Sequence, residues 1–403
     1  MIPFEEAYHI VLDNLPAPRP VAAGLDETVG RVLARDVVAD RDNPPFNRSA
    51  MDGYAVRAAD VVETPVTLEI VENIPAGRMP TRRVGTGQCA KIMTGAPVPE
   101  GADAVVMVEH TEAAGDGNVS IGKAVSAGAN ICPLGENFRR GDTVLRAGTP
   151  IGAAQVAVMA AVGIVETSVF AAPSVAVFST GSEIVPANAP LGPGQARDCN
   201  SHALPARLAL EGIRAERRGI VPDDREAVSK AVAESLGADV LILSGGASMG
   251  DYDLVPGVLR ALGVRLFFET VAMKPGKPTV FGRYGKTVVF GLPGNPVSVQ
   301  ATAELFVVPA LRRMTGHADV GPRVVRAELT GPLKSKGDRR NHLPVVLARK
   351  GEGWAAAPVA YHGSGDMRGL ARGNALAVLP IGVKRFDAGR VVEVVLLDGK
   401  EPW

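Results

Sequence analysis

Net charge, cysteine, aromatic rings and long apolar runs are all scarce in this sequence, and each scarcity narrows what the protein can do. Lys plus Arg and Asp plus Glu number 43 each, so no global field exists to hold nucleic acid, and any anionic ligand must be gripped by a local site. The three cysteines, Cys89, Cys132 and Cys199, lie far apart, show no CxxC spacing and leave an odd count. That pattern supports neither a disulfide framework nor a zinc site, and it fits inert buried thiols in a reducing cytoplasm. Aromatics make up 4% of the chain, so Val, Ala, Leu and Ile must fill the cores. The most apolar stretch, Gln155 to Phe178, is broken by Gly163, Glu166 and Pro173. It leaves no run of about 20 residues able to cross a bilayer and reads as a buried helix followed by a buried strand. Histidines are few and none is placed by a motif, so no Ser/His/Asp or Cys/His nucleophile set can be assembled.

What remains is ample. The chain has 403 residues with 46% hydrophobic and 21% charged content, which describes a soluble protein of two to four domains. Its start, MIPFEEAYHIVLDNL, carries acids and apolar residues at helical spacing and reads as an amphipathic helix, not a signal peptide. Residues 174–316 alternate β-branched runs with helical patterns. Strands are expected at Ser174–Gly181, Arg214–Val221, Asp239–Gly246 and Thr287–Gly294, with helices at His202–Leu210, Arg225–Leu236, Leu254–Leu262 and Pro296–Met314. This alternation is the mark of a doubly wound, largely parallel sheet. Before residue 171 the texture is mostly β, with short strands and Gly/Pro turns. After about residue 321, further strand candidates (Arg323–Leu329, Leu343–Leu347, Ala375–Leu379, Val391–Leu397) suggest a small β-barrel or sandwich. The fold class is therefore multi-domain α/β plus β.

In a doubly wound sheet the ligand lies beyond the carboxyl ends of the strands, where turns and helix starts present free amides. The turns STGSE, SGGASMG and LPGNP should line one such crevice. In LSGGASMGDYD, two glycines and small hydroxylated residues precede Asp251 and Asp253; the amides could cradle an anion and the carboxylates hold Mg2+, which prefers oxygen ligands. The alternative is a tight turn with Asp253 as helix cap. MKPGKPTVFG places Lys274 and Lys277 about a Pro-Gly turn, offering charge to phosphate or another oxyanion, or standing merely solvated. FGLPGNPVS ends a strand and starts a helix at Pro296, with Asn295 as N-cap. Glu183, and Asp223 with Asp224, follow strand ends; each alone reads as a cap or loop acid, but several on one side of one sheet point to a site. In the first half, Asp52 lies in a small-residue turn and Thr94 in a Gly/Pro-bounded one, either of which alone would be an ordinary turn.

Taken together and in order, SAMDGYAVR, KIMTGAPVPEGADAVVMVE, FSTGSEI, SGGASMGDYD, VAMKPGKPTVFG and GLPGNPVS resemble the family of MoeA and the C-terminal domain of gephyrin, from about residue 1 to 403. The resemblance implies a MogA-like molybdopterin-binding α/β domain at 171–320, a mostly-β domain at 43–140, a β-barrel domain at 321–403, and a discontinuous linker and dimerisation domain at 1–42 and 141–170. It implies a homodimer in which first-half loops of one subunit face the α/β domain of the other. The implied reaction inserts molybdate into adenylylated molybdopterin with Mg2+ and releases AMP. Residue by residue, the family's functional acids fall on Asp52, Glu183, Asp223 and Asp253, its threonine on Thr94, and its KPGKP lysine on Lys274, with Lys277 beside it. Glu183, Asp223 and Asp253 are the expected metal ligands. Ser244, Gly245, Gly246, Ser248, Pro293, Gly294, Asn295 and Ser364 complete the expected cofactor-binding set. The adenylylating enzyme of the preceding step and recipient molybdoenzymes are the implied partners. Six residues depart from the family pattern: Asn137 replaces an acid, Cys132, Pro133 and Leu134 replace a basic run, and Thr270 and Pro344 each replace a basic residue. A noncatalytic cofactor-binding or delivery protein is the alternative these departures suggest.

Overall fold

The structure, a computed structural model, describes residues 1–246 and 254–399. Contacts divide the chain into two compact units. The first comprises Met1–Ala34, Gly148–Gly152 and the chain from Glu166 onward; the second comprises Arg35–Ala147 and Ala153–Val165.

At the centre of the first unit is a six-stranded sheet. Its strands are β1 (Val175–Thr180), β2 (Ala215–Val221), β3 (Val240–Ser244), β4 (Arg265–Phe268), β5 (Val280–Tyr284) and β6 (Thr287–Leu292), ordered β2-β1-β3-β6-β5-β4. The four strands expected from sequence are the four contiguous parallel ones, with Val177 opposite Ile242 and Ile242 opposite Phe290. Their near-continuous apolar runs follow from burial on both faces. Period-two alternation divides the core. Val175, Val177, Val240, Ile242, Val288 and Phe290 pack on one side with Leu204 and Phe306, while Ala176, Phe178, Leu241, Leu243 and Val289 pack on the other with Val228, Val232 and Leu259. Each such fully buried Val, Leu or Phe contributes about 1.5–3 kcal/mol of burial energy.

Helices α1 (Asn200–Ala209), α2 (Arg225–Ser235), α3 (Leu254–Ala261) and α4 (Pro296–Thr302) supply these layers. The expected helix at Pro296–Met314 is three pieces. After α4 comes a π-helical turn, Ala303–Val307, and then α5 (Val308–Met314). Pro309 follows the π turn and has no N–H with which to continue the regular ladder. β4 and β5 were absent from the sequence expectation. β5 overlaps the stretch read as a basic turn, yet Tyr284 pairs with Thr287 across Gly285–Lys286, and Gly285 has φ 54°. That is a two-residue hairpin with the glycine its backbone demands.

The N-terminal helix forms over Phe4–Asp13 and buries Phe4, Ala7 and Val11, a three-then-four spacing, in the α/β core. Toward the C-terminus, strands Arg340–Lys350, Gly353–Pro358, Val324–Leu329, Val391–Leu396 and Ala375–Leu379 pair in that order, and the last closes on the first. The result is a five-stranded barrel filled by small and medium residues such as Ala327, Val345, Leu347, Ala377 and Val394.

The second unit holds another six-stranded sheet, ordered Ala104–Met107, Gly53–Val56, Gln88–Ile92, Val66–Ile74, Asn118–Ile121 and Thr111–Ala113. Val56, Cys89, Val106 and Ile121 pack on one face and Ala55, Ala90, Ile92 and Val105 on the other. One expectation fails here. The helix Ala153–Ala161 is not buried, for Met159 alone among its residues is inaccessible. Ala153, Ala154, Ala157, Ala160 and Ala161 are exposed and Val156 and Val158 only half-buried. The strand that follows it, Glu166–Phe170, buries only Thr167 and Val169, while the strand expected from Ser174, β1, is wholly buried.

Candidate functional site

The carboxyl ends of β1, β3 and β6 open into one crevice of about 390 Å³. Thr180 and Glu183 from the β1 turn, Ser244, Gly245 and Gly246 from the β3 turn, and Gly294, Asn295 and Pro296 from the β6 turn all line it. Asp223, after β2, stands at the same rim.

Sterics dictate the two glycines after β3. Gly245 has φ 100°, and a Cβ there would fall 2.2 Å from the Thr180 carbonyl oxygen. Gly246 has φ 59°, and its Cβ would lie 2.9 Å from Thr180 Oγ1. Only glycine adopts these angles without strain and lets the backbones approach so closely. The Thr180 hydroxyl is itself buried and has no hydrogen-bond partner among the described residues.

Asn200, the first residue of α1, joins the turns. Its Nδ2 donates to Ser244 Oγ at 2.8 Å and to the Gly294 carbonyl at 2.8 Å. Gly245 N donates to the Leu292 carbonyl at 3.1 Å, so the β3 and β6 turns are also bonded directly. Beneath them, Asp198 accepts from Ser179 Oγ at 2.9 Å and from Ser201 N at 3.1 Å, and also from Ser201 Oγ. Neither Asp198 nor Asn200 was among the expected site residues. A signal was present in RDCNSH, where an acid and an amide occupy the start of a helix in a doubly wound pattern.

The expected carboxylates divide. Glu183 is exposed at the crevice. Asp223 exchanges bonds with Ser182, its N–H donating to Ser182 Oγ at 3.1 Å and its Oδ2 accepting from Ser182 N at 3.3 Å. Asp224 is a helix cap, accepting from Ala227 N at 2.8 Å. Asp251, Asp253 and Ser248 lie outside the described residues.

Asn295 occupies the N-cap position of α4, but its side chain makes no capping bond. Its Nδ2 instead donates to Ser364 Oγ at 3.0 Å, and the Ser364 carbonyl accepts from Val297 N at 3.1 Å. The HGSGD loop of the barrel domain is thereby fastened to the β6 turn. Ser244 Oγ donates to the Pro293 carbonyl at 3.3 Å. Lys274 and Lys277 do not line the crevice. The Met273–Lys274 segment adds to the barrel sheet beside Arg340 and Asn341, and the Asp338 carboxyl is held below its ordinary range against desolvation by the Arg339 charge first and the Lys274 charge last.

Within the second unit, Asp52 Oδ1 accepts from Thr94 N at 2.7 Å and from Thr94 Oγ1 at 2.9 Å. The backbone bond first, then the hydroxyl bond, holds the exposed Asp52 carboxyl below the usual range. Asn137, which the resemblance set at an acid position, donates from Nδ2 to Asn43 Oδ1 at 2.9 Å. Burial pushes the Cys89 thiol up to about 12, which makes it inert; Cys132 and Cys199 are only half-buried, contrary to expectation.

A glycine-turn crevice at the carboxyl edge of a doubly wound sheet, linked to a small barrel, defines a multidomain protein built around a ligand-binding α/β domain. Residues 176–313 match the family model described as "Probable molybdopterin binding domain". Residues 2–163 match the MoeA N-terminal region (domain I and II), and residues 326–397 match the MoeA C-terminal region (domain IV). The chain belongs to the MoeA family.

Curated relatives carry the name molybdopterin molybdenumtransferase. The Bacillus subtilis protein is 33% identical, covering 100% of this chain and 96% of its own length, and the one from Staphylococcus aureus strain COL is 33% identical over 98% and 96%. The Nostoc protein is 36% identical over 91% and 86%. Among solved structures, a molybdopterin biosynthesis MoeA protein from Pyrococcus horikosii is similar across 100% of both chains, with 34% identity and a TM-score of 0.84.

Proposed function

We propose that this chain is a molybdopterin molybdenumtransferase of molybdenum cofactor biosynthesis, taking adenylylated molybdopterin and molybdate as substrates and releasing AMP. The observation that carries this reading is the meeting of three glycine turns and two carboxylates, Glu183 and Asp223, in one crevice. Free amides there suit a pyrophosphate. Ser364 and Asn295 at its margin, with Lys274 on the adjoining barrel edge and Lys277 in the turn after it, would receive molybdate.

The donors at the rim fit Mg2+. Both side chains offer hard oxygen ligands, and Mg2+ is ordinarily held by one or two carboxylates together with substrate phosphates and water. Among the described residues no group of three or more His, Cys, Asp or Glu could hold a metal. Glu183 and Asp223 would hold it, with Asp253 as a third ligand by family resemblance, and its charge would make the AMP phosphate a better leaving group. Around it, the β3 and β6 turns orient the pyrophosphate, and Asn200 keeps those turns in register.

Asp52 and Thr94 complete the site from the partner of a homodimer in this reading. The homodimer is supported by the helix AAQVAVMAA at Ala153–Ala161, whose apolar side chains are largely uncovered in the single chain. The four-domain division, at 1–42 with 141–170, 43–140, 171–320 and 321–403, is supported by the separate α/β, β-sheet and barrel cores. A cytoplasmic location is part of the same proposal; no helix among the described residues is long and apolar enough to cross a membrane. The adenylylating enzyme would deliver substrate and molybdoenzymes receive product.

Asn137 favours a second reading, a cofactor-binding or delivery protein without turnover, because its amide is engaged by Asn43 where the family carries an acid. The test is AMP release by the purified chain with Mg2+, molybdate and adenylylated molybdopterin. Multiple turnovers are expected, and tight cofactor binding without AMP release would sink the transferase reading in favour of the second.

A further inference from the structure

At the amino edge of the six-stranded sheet, opposite the crevice, lies a separate cavity of about 590 Å³, within the size range of small-molecule sites. Pro173, Asp239 and Lys286 line it, and each comes just before one of the three strands, β1, β3 and β6, whose far ends carry the crevice turns. From Asp239 to Gly245 the chain advances about 20 Å along β3, at roughly 3.3 Å per residue, so the two openings do not merge. We infer that this cavity binds a small organic anion, one carrying two or more phosphate or carboxylate groups on a flat or apolar body. The inference is independent of the molybdenumtransferase reading.

Three cations share the lining, Arg19, Arg283 and Lys286, against one acid, Asp239. Asp239 is committed to the fold, because its Oδ2 accepts from Ser174 N and Ser174 Oγ, each at 2.8 Å, and so ties the start of β3 to the entry of β1. Arg283 donates through Nε to the Gly285 carbonyl at 2.7 Å and through Nη1 to the Asn14 carbonyl at 3.3 Å. Neutral oxygens therefore fix its position and leave its charge uncompensated. A guanidinium has five N–H donors, so three remain for a ligand. Arg19 and Lys286 are exposed, and their side chains make no ion pair or hydrogen bond among the described residues. Isolated exposed cations are ordinary on any surface. Here a pinned guanidinium and two unpaired charges face one concavity whose single carboxylate is already bonded, and guanidinium forks match phosphate and carboxylate oxygens alike.

The rest of the lining selects the body of the ligand. Pro16, Pro18, Pro20 and Pro173 have no N–H, and the Ala171 amide is spent on the Arg19 carbonyl at 2.8 Å. Where the crevice offers the amides of glycine turns, this cavity binds charge mainly through side chains. The proline rings, with the Met314 side chain at the end of α5, present apolar faces to a flat group. A bare inorganic anion would leave those faces uncovered, and an anion with an organic body covers them.

Titration of the full chain with 2-naphthyl phosphate and with naphthalene-2,6-dicarboxylate, followed by naphthalene fluorescence, tests the site. Saturable binding of one or both is expected, and the tighter of the two tells whether phosphate or carboxylate is the preferred group. Arg19→Glu combined with Lys286→Glu, both at exposed positions, is expected to weaken that binding about tenfold or more. Arg326→Glu combined with Lys230→Glu makes the same change of net charge outside the cavity and is expected to weaken it less than about twofold. Should the first pair fail to fold, Arg19→Ala with Lys286→Ala carries the same direction. Uncharged 2-naphthol, and inorganic phosphate measured by competition, are each expected to bind about tenfold or more weakly than the naphthyl anions, since each lacks one half of the ligand. The assignment is wrong if the wild type binds neither naphthyl anion, or if the first pair of substitutions leaves their affinity intact, as it would for probes seated in the crevice. It is equally wrong if inorganic phosphate binds as tightly as they do.

Discussion

Replacing Gly245 by alanine tests the geometry on which the crevice depends. At φ 100° an L residue is strained by about 1–2 kcal/mol. The added methyl would sit 2.2 Å from the Thr180 carbonyl oxygen, about 1 Å inside ordinary contact. That oxygen is backbone at the end of β1, whose Ser179 is in register with Ser244 of β3, so relief requires two central strands to part. Overpacking of this kind costs about 1–3 kcal/mol. Together the terms come to about 3 kcal/mol, or a fall of ~6–12 °C in the melting of a domain this size. Gly294→Ala is the control, because its Cβ would meet only the Gly245 Cα, at 3.7 Å. Scanning calorimetry on both variants measures the difference. Equal melting of Gly245→Ala and Gly294→Ala would refute the turn geometry and the anion seat built on it.

His342 is fully buried beside Phe4, neither ring nitrogen has a hydrogen-bond partner among the described residues, and burial drives its pKa down to about 3. The unfolded chain takes up that proton near pH 6.5 while the folded one does not, so this contribution to stability is present above about pH 6.5 and is lost as pH falls toward about 3. His342→Leu should flatten that acid limb in urea unfolding followed from pH 7 to 4, and an unchanged slope would exclude the histidine as its source. In the second unit, Thr94→Ala should move the Asp52 carboxyl part of the way back up toward its ordinary range, since the Thr94 N–H bond survives the change. Carbon-detected NMR titration reads the shift directly, and a fall or no change would count against the hydroxyl bond.

Much of this molecule is legible one residue at a time. The four parallel strands announce themselves because burial on both faces forces unbroken β-branched and apolar runs, and Gly245–Gly246 announce a sharp turn because no other residue tolerates it. Glu183, Asp223 and Asn295 were legible as polar residues just past strand ends, where a parallel sheet always opens toward its ligand. Less visible was β5, whose hairpin signal Tyr-Gly-Lys-Thr was masked by a lysine-rich motif that drew attention as charge. The helix Ala153–Ala161 misled for a different reason, since composition reports how apolar a segment is and not whether anything covers it.

The order of chemistry along the chain, the strand ends and their turn residues were determined by the sequence alone, because local sterics and hydrophobic periodicity act over a few residues. Which of those residues meet was decided only by the tertiary structure. Asn200 reaches Ser244 and Gly294, Asn295 leaves its helix to hold Ser364, and Arg207 finds Glu304 nearly a hundred positions away. Such partnerships depend on how strands are ordered in the sheet and how helices settle across it, and no spacing in one dimension encodes a distance between segments that only packing brings side by side.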